Sequence, residues 1–267
     1  MKIFRLFITS FIFLILILST AQSQTNFSLY ITGGFTAPMG DFKQDVPLIN
    51  AQRENWPYQM KTGYHVGIGG LLPIEKKNNI NFSFGITYTA FSNNIGTIDT
   101  TSTTGSAVKD ANVPAGTPVT FSPRINLYTV NLGVTYIFSP KQKFHPLLSL
   151  DATGNFFSGN FSYDGASSSS TIYQAADLKS SFRFGLQFGG GLEYRINDGF
   201  GVVASLKYNL ANLLGKSDES SANTASIAFG DKAHTRDNGE IVGSRSISYL
   251  QISFGAVFYL KSTEDKK

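Results

Sequence analysis

Five charged side chains could form a polar centre within this chain. Arg183, Glu193 and Arg195 occupy odd positions of one alternating stretch, and Asp151 and Lys207 occupy odd positions of the stretches before and after it. Residues two apart share one face of an extended strand, so we expect all five charges on a common side. Carboxylates and cations arranged in this way could line a polar pathway or gate, or could simply neutralise one another as structural ion pairs.

Other residues with chemical potential are scattered. The chain contains no cysteine, which excludes disulfides, thiolate nucleophiles and cysteine metal sites. The histidines His65, His145 and His234 lack metal-ligand spacing, so we expect neither a metal nor another cofactor. His234 lies between Asp231 and Asp237 in "DKAHTRD". There it could serve a hydrolase or acyltransferase, or it could simply be solvated.

The N-terminus is typical of an exported protein. It begins "MKIFRLFITSFIFLILILSTAQSQ", with two basic residues, then an apolar run, then small residues at Ala21 and Ser23. This order predicts a signal peptide over residues 1–23 that is cleaved near Ser23/Gln24, with an uncleaved anchor as the alternative. After Gln24, no apolar run approaches the ~20 residues of a membrane helix.

Composition argues against a nucleic-acid partner. The chain has 22 basic and 18 acidic residues, and no basic cluster larger than a pair such as Lys76-Lys77. A nucleic-acid surface needs clustered Lys and Arg. Charged residues make up only 15% of the chain, beside 13% aromatic residues and 26 glycines. This balance suits strands with one face in an apolar environment.

Eight segments alternate between apolar and polar residues with the period of two that is typical of β-strands. Their apolar faces contain no charged residue, and their other faces are rich in Gly, Ser, Thr and Asn. The segments are NFSLYITGGF, GYHVGIGGLL, INFSFGITYTA, YTVNLGVTYIF, LLSLDATGNFF, SFRFGLQFGGGLEYRI, FGVVASLKYNL and SYLQISFGAVFYL.

The connections between these segments alternate in length. "PIEKKNN", "SPKQKFHP" and "NDG" are short, whereas the loops expected over residues 37–61, 92–123, 158–179 and 211–244 are long. Aromatic residues recur near both ends of the segments, where lipid headgroups would lie. These features predict an all-β, eight-stranded antiparallel transmembrane β-barrel with short periplasmic turns and long extracellular loops. The barrel would span residues 24–260, followed by a periplasmic polar tail over residues 261–267.

The five charges would face the inside of this barrel. Asp151, Glu193 and Arg195 would lie toward the periplasmic half, and we expect them to form one network that plugs the lumen. An eight-stranded barrel leaves an interior that side chains nearly fill, which favours ion pairs over an open pathway.

The chain resembles small outer-membrane β-barrel proteins. The cleavable signal, the eight glycine- and aromatic-rich strands and the closing "SFGAVFYL" carry this resemblance. It is closest to the PorT-like outer membrane protein beta-barrel domain group and looser to OmpX- and OmpW-type barrels. Members often end in an aromatic residue that the barrel-insertion machinery reads, whereas here the tail "KSTEDKK" follows the last strand. The resemblance implies no shared catalytic site.

We therefore expect a non-enzymatic, monomeric barrel with a structural, adhesive or secretion and envelope-assembly accessory role. Its partners would be outer-membrane lipid and envelope or secretion proteins. Two alternatives stay open. One is a narrow conduit for small or apolar solutes, and the other is an outer-membrane hydrolase or acyltransferase that uses extracellular loop residues such as His234.

Overall fold

Eight antiparallel strands, one for each alternating segment, close into a barrel. In the computed structural model they are β1 (Phe27–Met39), β2 (Gly63–Pro73), β3 (Ile80–Ser92), β4 (Pro118–Ile137), β5 (Phe144–Ala166), β6 (Thr171–Arg195), β7 (Phe200–Leu214) and β8 (Ser248–Leu260). Each strand pairs with the next along the chain. The ladder from Phe27↔Leu260 to Met39↔Ser248 joins β1 to β8. The predicted eight-stranded barrel is confirmed.

The structure describes residues 27–43, 60–75, 77–93, 95–99, 118–166, 171–217, 226–227, 229–235 and 241–260. The predicted signal peptide over residues 1–23, its cleavage site and the predicted tail over residues 261–267 lie outside these ranges. Within the ranges, short strands accompany the barrel at Ile95–Asp99, Ser226–Ile227, His234–Thr235 and Ile241–Val242, and a 3-10 turn follows β1 at Gly40–Phe42. No helix in the described part of the chain has the length and apolarity to cross a bilayer.

The two faces of each strand lie in opposite environments, as the period of two predicts. In β5, Leu148 and Leu150 point outward and are 55% and 59% exposed, whereas the neighbouring Asp151 is fully buried. In β6, Phe188 is exposed and Gln187 is buried. The barrel is therefore apolar outside and polar inside. This is the polarity of a barrel in lipid and the reverse of a soluble ligand-binding barrel.

Short turns at one end of the barrel alternate with longer connections at the other, as predicted, except between β5 and β6, which only four residues separate. Short turns join β2 to β3, β4 to β5 and β6 to β7, and Phe27 and Leu260 lie at this same end. Asn78 and Ser139, in two of these turns, have φ angles of 59° and 51°. Left-handed backbone of this kind reverses the chain within few residues.

Aromatic side chains contact one another on the outer face near both ends. Near the short turns, the ring centroids of Tyr136 and Phe138 are 4.8 Å apart. Near the opposite end, those of Tyr88 and Tyr128 are 5.2 Å apart. These pairs lie where the aromatic girdles of transmembrane barrels meet the two membrane interfaces.

The hairpin of β5 and β6 is longer than the alternation predicted. The loop expected over residues 158–179 is mostly strand, because pairing resumes at Gly159↔Leu178 and runs to Ala166↔Thr171. A bulge between Phe157 and Gly159 shifts the register, and this shift breaks the period of two without ending the strand. That loop prediction was wrong. The strand β4 likewise begins at Pro118, inside the loop expected over residues 92–123.

We expect Leu186→Arg to impair assembly of the barrel in lipid. Leu186 faces outward and is 40% exposed, so the change places a guanidinium among lipid tails, at a cost of ~2–4 kcal/mol near the bilayer midplane. The control Leu186→Met keeps an apolar side chain and should cost less than ~1.5 kcal/mol. Urea titrations of folding into vesicles, read from the gel mobility of unboiled samples, measure both. Equal stability of the two variants would contradict the assigned facing.

Candidate functional site

Polar side chains occupy the lumen at three separate levels. The first is a basal cluster near the short turns, which consists of Tyr30, His145, Glu193, Arg195 and Tyr259. The second is a central cavity around Asp151 and Lys207. The third is a loop latch of Arg183, Asn212 and Asp231 at the opposite end. Each level joins strands that are distant in the chain.

The basal cluster is organised by the carboxylate of Glu193, which is buried at the end of β6. Tyr30 donates a hydrogen bond of 2.5 Å to Oε2, and Tyr259 donates one of 2.5 Å to Oε1. His145 Nδ1 lies 3.1 Å from Oε1. The carboxylate thus links β1, β5, β6 and β8, and its oxygens are satisfied although they are removed from water.

The His145 ring faces an acceptor at each nitrogen. Nδ1 contacts the Glu193 carboxylate, and Nε2 contacts the backbone carbonyl of Gln142. The ring thus connects the end of β6 to the turn between β4 and β5. Nearby, the Arg195 guanidinium carbon lies 4.3 Å from the ring centroid of Tyr259, within cation–π range.

At the central level, Asp151 and Lys207 approach each other across the lumen. Asp151 accepts a 2.5 Å hydrogen bond from Ser83, and Lys207 Nζ lies 3.5 Å from its Oδ2. Lys207 Nζ also donates to Gln187 Oε1 at 3.1 Å. Gly133 sits opposite Asp151, where an added Cβ would approach the Leu150 carbonyl oxygen to 2.1 Å. The missing side chain is what admits the carboxylate at this point.

A cavity of about 110 Å³ lies beside this pair. Its wall includes Gly67, Gly69 and Gly85, which contribute no side chain to fill the lumen, and Lys207. Ser149 also lines it, and its hydroxyl is buried with no protein partner. A space of this size can hold a few water molecules, which would satisfy such groups.

The loop latch joins a barrel strand to the connection between β7 and β8. Arg183 Nε and Nη2 donate hydrogen bonds of 2.9 and 2.8 Å to the two carboxylate oxygens of Asp231. Asn212 and the Ser217 amide also donate to this carboxylate, each at 2.9 Å. Arg183 is 4% exposed and Asp231 is fully buried. This bidentate geometry is the strongest form of an Arg–carboxylate pair.

An apolar plug surrounds the latch and fills this end of the barrel. Ring centroids are 4.8 Å apart for Phe42 and Phe91 and 4.7 Å apart for Phe157 and Phe229. Phe229 precedes Asp231 by two residues, so the latch holds an apolar residue of the connection inside the mouth. The plug consists of Phe42, Met60, Phe91, Ile125, Leu127, Phe157, Leu178, Ala211, Phe229, Ile247 and Tyr249.

The latch is charged at neutral pH. Asp231 lies in a connection, outside the strands. Burial raises its pKa, but hydrogen bonds from Arg183, Ser217 and Asn212 outweigh that effect and hold the pKa below the ordinary value of 3.8. The Asp231 carboxylate is therefore ionised at neutral pH.

The five predicted charges separate among the three levels. Asp151 and Lys207 meet, but Arg183 binds Asp231 and Glu193 binds His145. Asp151 lies opposite Gln187 and Glu193 opposite His145. The two carboxylates are thus six residues apart along the ladder, roughly 20 Å at ~3.4 Å per residue. The structure does not bring Asp151 into one network with Glu193 and Arg195.

The other candidate residues from the sequence, those around His234, form no catalytic centre within the described residues. The backbone of His234 pairs with Val242, while Asp237 lies outside the described residues. Among the residues that the structure describes, no group of three or more His, Cys, Asp and Glu could hold a metal.

Several partners were not predicted: Tyr30, Ser83, His145, Tyr259 and Asp231. His145 carried a usable signal, because its odd number places it on the same face as Asp151 if the fifth segment is extended toward the turn. In the sequence, Asp231 stands out only as a neighbour of His234, because no periodic pattern identifies a loop residue that folds into the lumen.

Comparison with known proteins identifies the family. Residues 9–232 match the Outer membrane protein beta-barrel domain. The chain belongs to this family. This outer-membrane barrel protein therefore lies in the outer membrane, and in such barrels the short turns face the periplasm and the long loops face the outside. No sequence among the curated proteins matches the chain.

Three solved structures are similar to this chain at low sequence identity. A major outer membrane protein from Thermus thermophilus is 16% identical with a TM-score of 0.46, and the match covers 88% of this chain and 99% of that chain. Neisserial surface protein A is 12% identical with a TM-score of 0.41, covering 88% and 97%. The outer membrane protease OmpT from Escherichia coli is 8% identical with a TM-score of 0.40, covering 89% and 97%.

We expect Arg183→Ala to lower the free energy of unfolding by ~3–5 kcal/mol, because it leaves the Asp231 carboxylate buried without its cation. Arg124→Ala is the matched control, since Arg124 is exposed at the same end of the barrel and should change stability by less than ~0.5 kcal/mol. Urea unfolding of the refolded barrel measures both variants. A similar loss of unfolding free energy in the two variants would contradict a stabilising role for the latch.

The Asp231 carboxylate should make the latch sensitive to acid. Its pKa is lowered in the folded barrel, so its stabilisation is present above the ordinary pKa of 3.8 and is lost as pH falls through the lower, folded value. We expect the stability difference between wild type and Asp231→Asn to be largest at neutral pH and to shrink below about pH 4. Urea titrations of both proteins at pH 7 and at pH 3 measure it. A difference that is independent of pH would contradict this assignment.

Proposed function

We propose that this outer-membrane barrel is a sealed, non-enzymatic protein that acts through its surface, in a structural, adhesive or secretion and envelope-assembly accessory role. The observation that supports this proposal is the packing of the lumen, which is obstructed at two levels. A barrel that transports solutes needs a continuous pathway, whereas a barrel that presents loops or organises its neighbours does not.

The outer obstruction is the apolar plug. Phe91, Phe157 and Tyr249 are each 1% exposed, and Ile125 and Leu127 are fully buried. These side chains come from β3, β4, β5 and β8 and meet in the middle of the lumen. Opening a path here would expose a continuous apolar cluster to water, which is unfavourable by about 25 cal/mol for each Å².

The inner obstruction is the basal cluster together with the apolar side chains around it. Tyr30 and Tyr259 cross the lumen to reach Glu193 and pack against a second buried cluster. That cluster consists of Leu71, Ile137, Leu147, Val203 and Val257. Hydrogen bonds and apolar packing thus hold the same tyrosines, so this level also resists the passage of ions.

Two other functions receive less support. The central cavity favours a narrow conduit, but solutes could use it only if both obstructions moved. A hydrolase or acyltransferase would need a carboxylate to orient His234. Asp231, its nearest described carboxylate in sequence, is already engaged by Arg183, Asn212 and Ser217.

A series of conductance measurements tests the proposal. In planar bilayers the wild-type barrel should give no single-channel currents. Phe91→Ala with Phe157→Ala opens only the plug, and Glu193→Ala with Tyr259→Ala opens only the basal cluster. Because the two obstructions lie in series, each pair alone should remain silent and the four changes together should conduct.

Each variant must first show the wild-type shift in gel mobility on boiling, so that silence reports a sealed barrel and not a misfolded one. An open porin in the same bilayer serves as the positive control. Steady wild-type currents would contradict the proposal and favour the conduit.

A further inference from the structure

The outer face of the barrel changes abruptly in character near the long loops. One cross-strand row is aromatic and runs through Tyr88, Tyr128, Phe156 and Phe182. Four residues further toward the loops on β3 and β4, the corresponding row is polar and runs through Ser92, Arg124, Asn160 and Asp177. All of these positions lie on the outside of the barrel, so the change marks the boundary between lipid tails and headgroups.

A broad hollow lies at this boundary on the outer side of the barrel wall, and Phe91 is the one residue of the plug that reaches its lining. It has a volume of about 620 Å³, within the ~300–1,000 Å³ range of small-molecule sites. Tyr64 and Tyr88 form its membrane-side edge, and Arg124, Asn160 and Asp177 form its loop-side edge. Between the edges, Tyr88 donates a 3.0 Å hydrogen bond to Asn126.

The residues of the hollow suit a sugar that carries a phosphate. An exposed guanidinium such as that of Arg124 binds phosphate through paired hydrogen bonds. Asn126 and Asn160 offer amide donors and acceptors, and Asp177 accepts hydrogen bonds from hydroxyl groups. Arg124 and Asp177 lie on strands two apart, about 10 Å by the usual strand spacing. A phosphate and a sugar hydroxyl group of one headgroup can therefore reach them separately.

We propose that this hollow binds the phosphorylated sugar headgroup of a glycolipid in the outer leaflet, with the phosphate on Arg124. Its position argues for a lipid and against a free solute. The tyrosines below it face the tail region, so the acyl chains of a bound glycolipid continue down the apolar outer face. A soluble sugar phosphate would leave that face unused.

The test uses the full mature chain refolded in detergent, with binding measured by native mass spectrometry. The probe is bisphosphorylated, hexa-acylated lipid A, and phosphatidylglycerol is the comparison lipid. We expect one lipid A per barrel, bound at least tenfold more tightly than phosphatidylglycerol. Arg124→Ala should weaken lipid A binding about tenfold or more, because it removes charge-assisted hydrogen bonds. Arg124→Lys keeps the positive charge but loses the paired donors of the guanidinium group. Its affinity for lipid A should therefore lie between those of the wild type and Arg124→Ala.

Lys141→Ala is the matched control, since it removes an exposed cation at the opposite end of the barrel and should leave binding unchanged. Boiled and unboiled gel samples confirm that each variant is folded. Three results would each overturn the proposal: unchanged lipid A binding by Arg124→Ala, equal binding of phosphatidylglycerol, or equally tight binding of soluble glucosamine phosphate.

Discussion

The closed backbone ladder is the constraint on which the rest of this structure depends. An unpaired peptide group in lipid costs several kcal/mol, and the ladder between β1 and β8 removes the last free edge. Closure also assigns every side chain to lipid or to lumen, because a strand's register decides its facing. Polar groups that point inward must then be satisfied by one another or by water. The bonds of Asp151 to Ser83 and of Glu193 to Tyr30 are consequences of that requirement.

Local alternation was sufficient to predict the strands and their facing. The contrast between Leu150 and Asp151 depends only on adjacent residues, and the exclusion of charge from one face is visible without any tertiary information. Strand ends were harder to predict. The bulge inserts one extra residue of β6 between Leu178 and Ser181, so the phase of the alternation shifts there although the backbone pairing continues. A period of two detects a regular strand and misses one that is interrupted.

The partners of the charges depend on long-range register and could not be predicted in the same way. Tyr30 and Glu193 are 163 positions apart in the chain, and their contact follows from closure of the barrel. The contact of Glu193 with His145 follows from a hairpin whose length was itself underestimated. Arg183 receives its partner from a connection, where no periodic pattern exists. Charge and facing were thus predictable, whereas pairing was not.

The way Asp231 and Phe229 enter the barrel affects how the exterior of the cell can evolve. These two residues anchor the connection inside the mouth of the barrel, so its part in the seal depends on them and not on exposed neighbours such as Lys232 and Ala233. Substitutions at such exposed positions would alter the surface that antibodies, phages or neighbouring cells contact, without destabilising the barrel. We expect lineages of this barrel to conserve the anchor while the surrounding surface diversifies.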